Sequence, residues 1–467
     1  MDELRFLAFV CSLPVCYPCA KFISRKHLNI FDLLIIFYTI YFCFIPFFSD
    51  RSYLDPKIFT SNRLDCGYLY YFIVVVLFLL IDFFYTISSG LKYNLFNITN
   101  YICANISGIN KIDIERVKKR IDIVVLFYVL LFCYVFFSNY MENSLIVNFS
   151  YEDIRYYYSQ KSYNERFFST LFNLISPIVN SFLVVYVVIC DYYKIKLSFL
   201  FKMLLSILFM TLLLGSRSYI FFLFIIASIV YYSVNKEKIS IVDIFKFILV
   251  VFTTVYFIFP LVSSIRIIQR MVSFDGFSSN MGLFFNGLIS NIIDNHVVLT
   301  EFSADSNNAR SLSVFSSYMK SFTTSYQIGM GELSLNTFVH ALPKILFPFK
   351  IFFEDAQILI EKKLGIFTDI GDSIPLFFKM EFDFWGSLFV VPFYCAVVFL
   401  WNKIRFVFEH ISIDNLFLRY LYLYIILYMC VNVEVFIGTY ISSIFTYVIT
   451  IIIFKFIINR LMNVIVK

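Results

Sequence analysis

Apolar runs of about 17 to 25 residues recur along most of this 467-residue chain, and they constrain its fold more than any motif does. A helix needs about 20 such residues to cross a bilayer, whereas a barrel strand needs only about ten alternating ones, so the runs predict helical spans. Composition agrees: 60% of residues are hydrophobic, 15% are charged and the mean hydropathy is +0.81. Soluble globular chains are nearer half apolar and a quarter charged. The sequence therefore predicts an all-α polytopic membrane protein. Spans are expected near residues 5–23, 29–48, 67–88, 121–138, 167–190, 197–214, 218–233, 243–262, 385–402, 416–432 and 436–455, about eleven in all.

Basic residues give the orientation. Short loops on one side hold 19 Lys and Arg, among them Lys21, Arg25, Lys26, Lys92, Arg116, Lys236 and Arg460, while loops on the other side hold 7, including Arg51, Lys57, Arg155 and Arg217. The richer side is expected to be cytoplasmic. Clustered in this way, the net charge of +6 records topology, and no nucleic-acid partner is read from it. The amino terminus "MDELR" lacks the positive excess of a signal peptide, so the first span is expected to be retained. Ten cysteines are present, most of them inside apolar runs where a thiol is a small hydrophobe, and they imply no disulfide framework. Cys11, Cys16 and Cys19 have metal-like spacing, but Pro14 and Pro18 interrupt them and no histidine accompanies them, so packing is the expectation.

Three regions follow: spans 1 to 8 in residues 1–262, a long outward region in 263–384, and spans 9 to 11 in 385–467. Segments of the middle region such as "GLFFNGLISNIIDNHVVLTEF" are apolar but interrupted, which predicts short helices lying on or dipping into the membrane surface. No P-loop, HExxH or Cys-rich metal spacing occurs.

Arginines carry the stronger chemical signal. "LLLGSRSYIFF" (212–222) places Arg217 in a tight turn between two apolar runs, and Arg266 and Arg270 lie four apart, on one helix face, where the eighth run ends. Guanidinium groups stay charged in partly apolar surroundings and offer bidentate donors suited to phosphate. Snorkelling to lipid headgroups is the competing reading for each of them. His340, ahead of Pro343, Lys344, Pro348 and Lys350, could hold or deprotonate a sugar hydroxyl, or serve only as a hydrogen-bonded structural residue. Asp369, Asp372, Glu381 and Asp383 precede the ninth run, and one carboxylate opposite the arginines would complete a glycosyl-transfer site. Taken singly, each is equally a helix cap or a solvated side chain.

In order, "LLLGSRSYIFF", the arginines of "VSSIRIIQR", "HALPKILFPFK" and "GDSIPLFFKMEFDFWG" resemble the Wzy-type O-antigen and capsule repeat-unit polymerases over roughly residues 205–400. The spacing departs from that family's Arg-x10-Gly pattern: Arg266 and Gly276 enclose nine residues, and Arg270 and Gly282 enclose eleven. The resemblance implies a GT-C-like helical fold in the bacterial inner membrane with its active face in the periplasm. It implies a metal- and cofactor-independent glycosyltransferase that moves a growing glycan from undecaprenyl pyrophosphate onto a fresh lipid-linked repeat unit. Arg217, Arg266, Arg270, Arg310, Lys344 and Lys350 would hold pyrophosphate, and His340, Asp372 or Glu381 would activate the acceptor hydroxyl. Implied partners are undecaprenyl-pyrophosphate-linked oligosaccharides, membrane lipids and a chain-length regulator. An O-antigen ligase and a lipid-linked oligosaccharide flippase are the alternatives. The ligase pattern of His followed ten residues later by Gly is absent after His296 and His340, and an outward region of about 120 residues is large for a transporter.

Overall fold

A computed structural model describes residues 2–24, 28–48, 59–88, 122, 125–131, 183, 186–199, 201–203, 205, 217–235, 242, 249, 314–322, 328, 331–341, 356–364 and 373–410, and seven positions between 427 and 448. At 2, 48, 85–88, 217–224, 357, 361 and 405–410 the description is of the backbone alone. All regular secondary structure among these residues is helical. The chain divides into two compact units, residues 1–101 with 307–467, and residues 102–306.

In the first unit, α1 (Asp2–Ser12) leads through a 3-10 turn, Leu13–Val15, into α2 (Cys16–Ile23). Pro14 causes the break, because its ring nitrogen cannot donate to the preceding turn. The Cys16 N–H then reaches the carbonyls of Leu13 and Pro14. Leu4, Ala8 and Cys11 form the buried stripe of α1, and Phe6, Phe9 and Leu13 face outward. α3 (Ile30–Thr39) starts on a capping box, in which Asn29 accepts from the Asp32 N–H and Asp32 accepts from the Asn29 N–H. A single π turn, Ile40–Phe44, follows before α4 (Ile45–Phe48). Pro46 would press on the carbonyl four residues back in a regular helix, and the wider turn gives it room. α5 (Ser61–Ser88) has 28 residues, or about 42 Å at the helical rise, well beyond a hydrocarbon core of about 30 Å.

Near the other end of the unit, α7 (Glu332–Ala341) and α8 (Ala356–Leu364) precede α9 (Ile374–Phe382), which turns through a 3-10 elbow, Asp383–Gly386, into α10 (Ser387–His410). The number α6 belongs to Arg217–Asn235 in the second unit. Among the described residues, four helical stretches are long and apolar enough to cross a membrane: Glu3–Ile23, Ile30–Phe47, Ser61–Phe84 and Ile374–Ile404. They match the expected spans at 5–23, 29–48, 67–88 and 385–402. The last begins at 374 rather than 385, because the charges of "FFKMEFD" that depress its hydropathy are matched by partners within the fold. The spans expected at 197–214, 243–262, 416–432 and 436–455 lie largely or wholly outside the described residues, as do parts of those at 121–138 and 167–190.

Aromatic side chains fill the core of this unit and hydrogen-bond across it. Tyr38 and Tyr394 share a hydroxyl contact of 3.0 Å, Thr39 and Tyr71 another of 3.0 Å, and the Tyr70 hydroxyl donates to the Pro375 carbonyl at 3.3 Å. Within lipid, where apolar contact gains little over the tails, such bonds and close packing select one arrangement of helices. The helical segment 314–320 is drawn into the same core: the Tyr318 hydroxyl donates to the Gly67 carbonyl at 2.7 Å and its ring lies 4.9 Å from that of Phe42. Gly67 is about 9 Å along α5 from its start, so residues 314–320 pack among the helices of this unit.

In the second unit, the α6 backbone begins on Arg217 and runs for 19 residues, close to the expected span at 218–233. There Ser198 donates to Asp122 at 3.2 Å, and Tyr186 meets Phe201 edge-on at 5.4 Å.

Candidate functional site

Several described polar groups of residues 263–384 join α7 to α9. Ser373 caps α9 by accepting from the Leu376 N–H at 3.3 Å, and Pro375 occupies the first turn, where its missing N–H costs nothing. Tyr70 takes the Pro375 carbonyl, which seats α9 on α5. At the far end of α9, Gly386 allows a close approach: a Cβ there would stand 2.1 Å from the Phe378 carbonyl oxygen and 2.9 Å from the Tyr70 hydroxyl. Any other residue would force the elbow apart.

Glu381 points from α9 to the start of α7. One carboxylate oxygen accepts from the Gly331 N–H at 2.5 Å, the other from the Ser334 N–H at 3.1 Å. The first turn of a helix leaves its amides without internal partners and favours negative charge, and here a carboxylate fifty positions away supplies both. Gly331 sits at φ 87°, a conformation that suits glycine, and this aims its N–H at the carboxylate. The Ile328 N–H donates to the Met380 carbonyl at 3.3 Å and ties the preceding chain to α9 as well.

His340 lies in the last turn of α7, partly exposed. Nine residues separate it from Gly331, about 13 Å along the axis. The two sequence candidates Glu381 and His340 therefore mark opposite ends of one helix and do not meet at one substrate atom. Both Glu381 oxygens are engaged in holding α7, so it acts as a positioning residue, one of the readings that its sequence context left open. Arg217 is the first residue of α6, at the helix end where anions are favoured. Arg266, Arg270, Arg310, Lys344, Lys350 and Asp372 lie outside the described residues.

Sequence reasoning missed two features. Lys379 is buried on α9, pairs with Asp383 one turn on, and holds its ammonium 4.9 Å from the centre of the Phe322 ring. The i,i+4 spacing of Lys379 and Asp383 was the available signal. About 22 Å further along α5, Lys21 bridges two fully buried carboxylates, reaching Asp32 at 3.0 and 3.1 Å and Asp82 at 2.5 Å. Asn29 also donates to Asp82, and Lys21 lies over the Tyr17 ring. Three helices are thus fastened at one point, which the capping pair Asn29 and Asp32 announces only in part. Among the described residues, no three His, Cys, Asp or Glu side chains gather as metal ligands would.

Comparison with known proteins adds no relative: no family model, curated protein or solved structure matches the chain.

Proposed function

We propose that this protein polymerises lipid-linked oligosaccharide repeat units, transferring a growing glycan from undecaprenyl pyrophosphate to the next lipid-linked unit at the periplasmic face of the bacterial inner membrane. The observation that carries the reading is the arrangement of the segments with family-like motifs. The helix that begins within "GDSIP" and the helix whose last turn holds His340 are bound to each other through Glu381, and α9 is seated on α5 through Tyr70. Such a platform suits a reaction whose substrates are anchored in lipid but react above it. In this mechanism Arg217, Arg266 and Arg270 neutralise the pyrophosphates, with Arg310, Lys344 and Lys350 at hand. His340 or Asp372 accepts the proton of the attacking hydroxyl, and undecaprenyl pyrophosphate leaves with the bonding electron pair.

Arg217→Ala tests it. The variant should insert at normal levels while the cell's polysaccharide collapses from a ladder of chain lengths to single repeat units on lipid A core. A normal ladder would remove Arg217 from the mechanism. Loss of even the single unit would indicate a flippase, and free polymer unattached to core a ligase.

A further inference from the structure

The elbow between α9 and α10 is the turning point of a hairpin. Phe382 stacks on Phe389 at 4.6 Å, and Phe378 meets Phe393 edge-on at 5.8 Å. A straight helix would hold the backbones of these pairs about 10 and 22 Å apart, so α9 folds back along the first turns of α10. The elbow therefore lies at one end of both helices.

From the elbow down α10 runs one outward stripe at helical spacing. Trp385, 72% exposed, opens it; Leu388, Phe389, Phe399 and Leu400 continue it, and exposed Lys403 closes it with its ammonium 5.3 Å from the centre of the Phe399 ring. Trp385 and Lys403 are about 27 Å apart at the helical rise, close to the hydrocarbon thickness of about 30 Å. An indole at one edge and a lysine at the other are what bilayer boundaries favour. Asp383, with its side chain half exposed, stands just ahead of Trp385, on the side where a charge can stay wet. The bilayer surface thus passes through the elbow.

α7 starts at this level, because Glu381, two residues ahead of the elbow, holds its first-turn amides. A helix lying in water would carry polar residues along its outward face. α7 carries Glu332 there in its first turn, and then Leu335 and Phe338, 54% and 53% exposed and one above the other. Two half-exposed side chains fall well short of the roughly 800 Å² that each partner contributes to a stable protein interface. Lipid, by contrast, is what lies at the level where the α10 stripe begins.

We propose that α7 lies in the interfacial layer of the bilayer with Leu335 and Phe338 against lipid, and that this contact holds His340 at the height of the headgroup phosphates. Standing upright instead, the helix would carry His340 about 13 Å away into water. The lipid contact is independent of the polymerase reading. Its consequence rests on that reading, since the pyrophosphates of lipid-linked units lie at the same height.

Tryptophan fluorescence of the full chain in nanodiscs tests the contact, because the chain has only Trp385 and the buried Trp401. Trp401→Phe leaves Trp385 as a marker of the surface, and adding Trp385→Phe with Phe338→Trp moves the single indole to α7. Phosphatidylcholine brominated near the headgroup should quench both indoles, and more strongly than lipid brominated near the chain ends. An indole at position 338 quenched by aqueous iodide and by neither lipid would put α7 in water and overturn the proposal. One shielded from all three would put protein, a second copy included, against this face and overturn it equally. In cells, Phe338→Asp should insert at normal levels yet cut the long polysaccharide chains at least tenfold, while Phe338→Leu should keep the ladder. Should Phe338→Asp fold poorly, Leu335→Gln decides in its place. A normal ladder from these polar variants would overturn the hold on His340, whereas an unchanged ladder on deleting the gene would overturn the polymerase reading and leave the lipid contact to the fluorescence.

Discussion

The two polar clusters along α5 solve the same problem differently. At the Lys21 end, a partly buried ammonium, two fully buried carboxylates and an amide from three helices satisfy one another. At the α7 end, Glu381 satisfies two amides of the helix start. The first cluster ties three helices through their side chains, since its charges answer one another. The second ties one helix to another through the backbone. The charges at the Lys21 end are thus held by one another, whereas the Glu381 carboxylate is held by backbone amides.

The sharpest way to break this contrast is Lys21→Met, which strands Asp32 and Asp82 in a buried setting. Stability should fall by about 3 to 5 kcal/mol in SDS-induced unfolding. The triple variant with Asp32→Asn and Asp82→Asn should recover much of the loss. If Lys21→Met costs less than about 1 kcal/mol, the cluster is not the anchor described. A smaller effect is expected at Glu381. Glu381→Ala leaves two α7 amides unanswered and should cost about 2 to 4 kcal/mol, with the loss localised to residues 331–341 by hydrogen exchange. Glu381→Gln keeps one acceptor oxygen and sets an NH2 group against the other amide, so it should recover only part of the loss. Equal losses from both would show that one acceptor alone does nothing to hold α7. Smallest of the three is Tyr38→Phe, which removes one shared hydroxyl from the core. The expected cost is about 0.6 to 1 kcal/mol, with no change in the polysaccharide ladder.

Much of the helical frame was legible in the sequence, because the signals that set it are local. Apolar runs located the four described spans and Pro14 marked the break in the first, while the capping box of Asn29 and Asp32 that starts the second emerged only in the structure. Glu381 was visible as a carboxylate in a suggestive place, but its partners are backbone amides fifty residues upstream, and a backbone amide has no letter in the sequence. α7 was hidden for another reason. Its polar and apolar residues alternate by face, so their average resembles a loop, and only burial shows which face is which. Lys379 and Asp383 lay within a stretch read as the approach to a span. Pairing each with the other, and the ammonium with an aromatic ring, lets both enter the span itself.

Gly386 packs without a gap against the Phe378 carbonyl, and that contact has a mechanical consequence. An elbow with no spare volume cannot flex independently of its arms, so α9 and α10 turn as one crank. Through Glu381 the crank grips α7 at its first turn. Any rocking of α10 in the bilayer would then be transmitted to α7, which moves with the crank rather than against it.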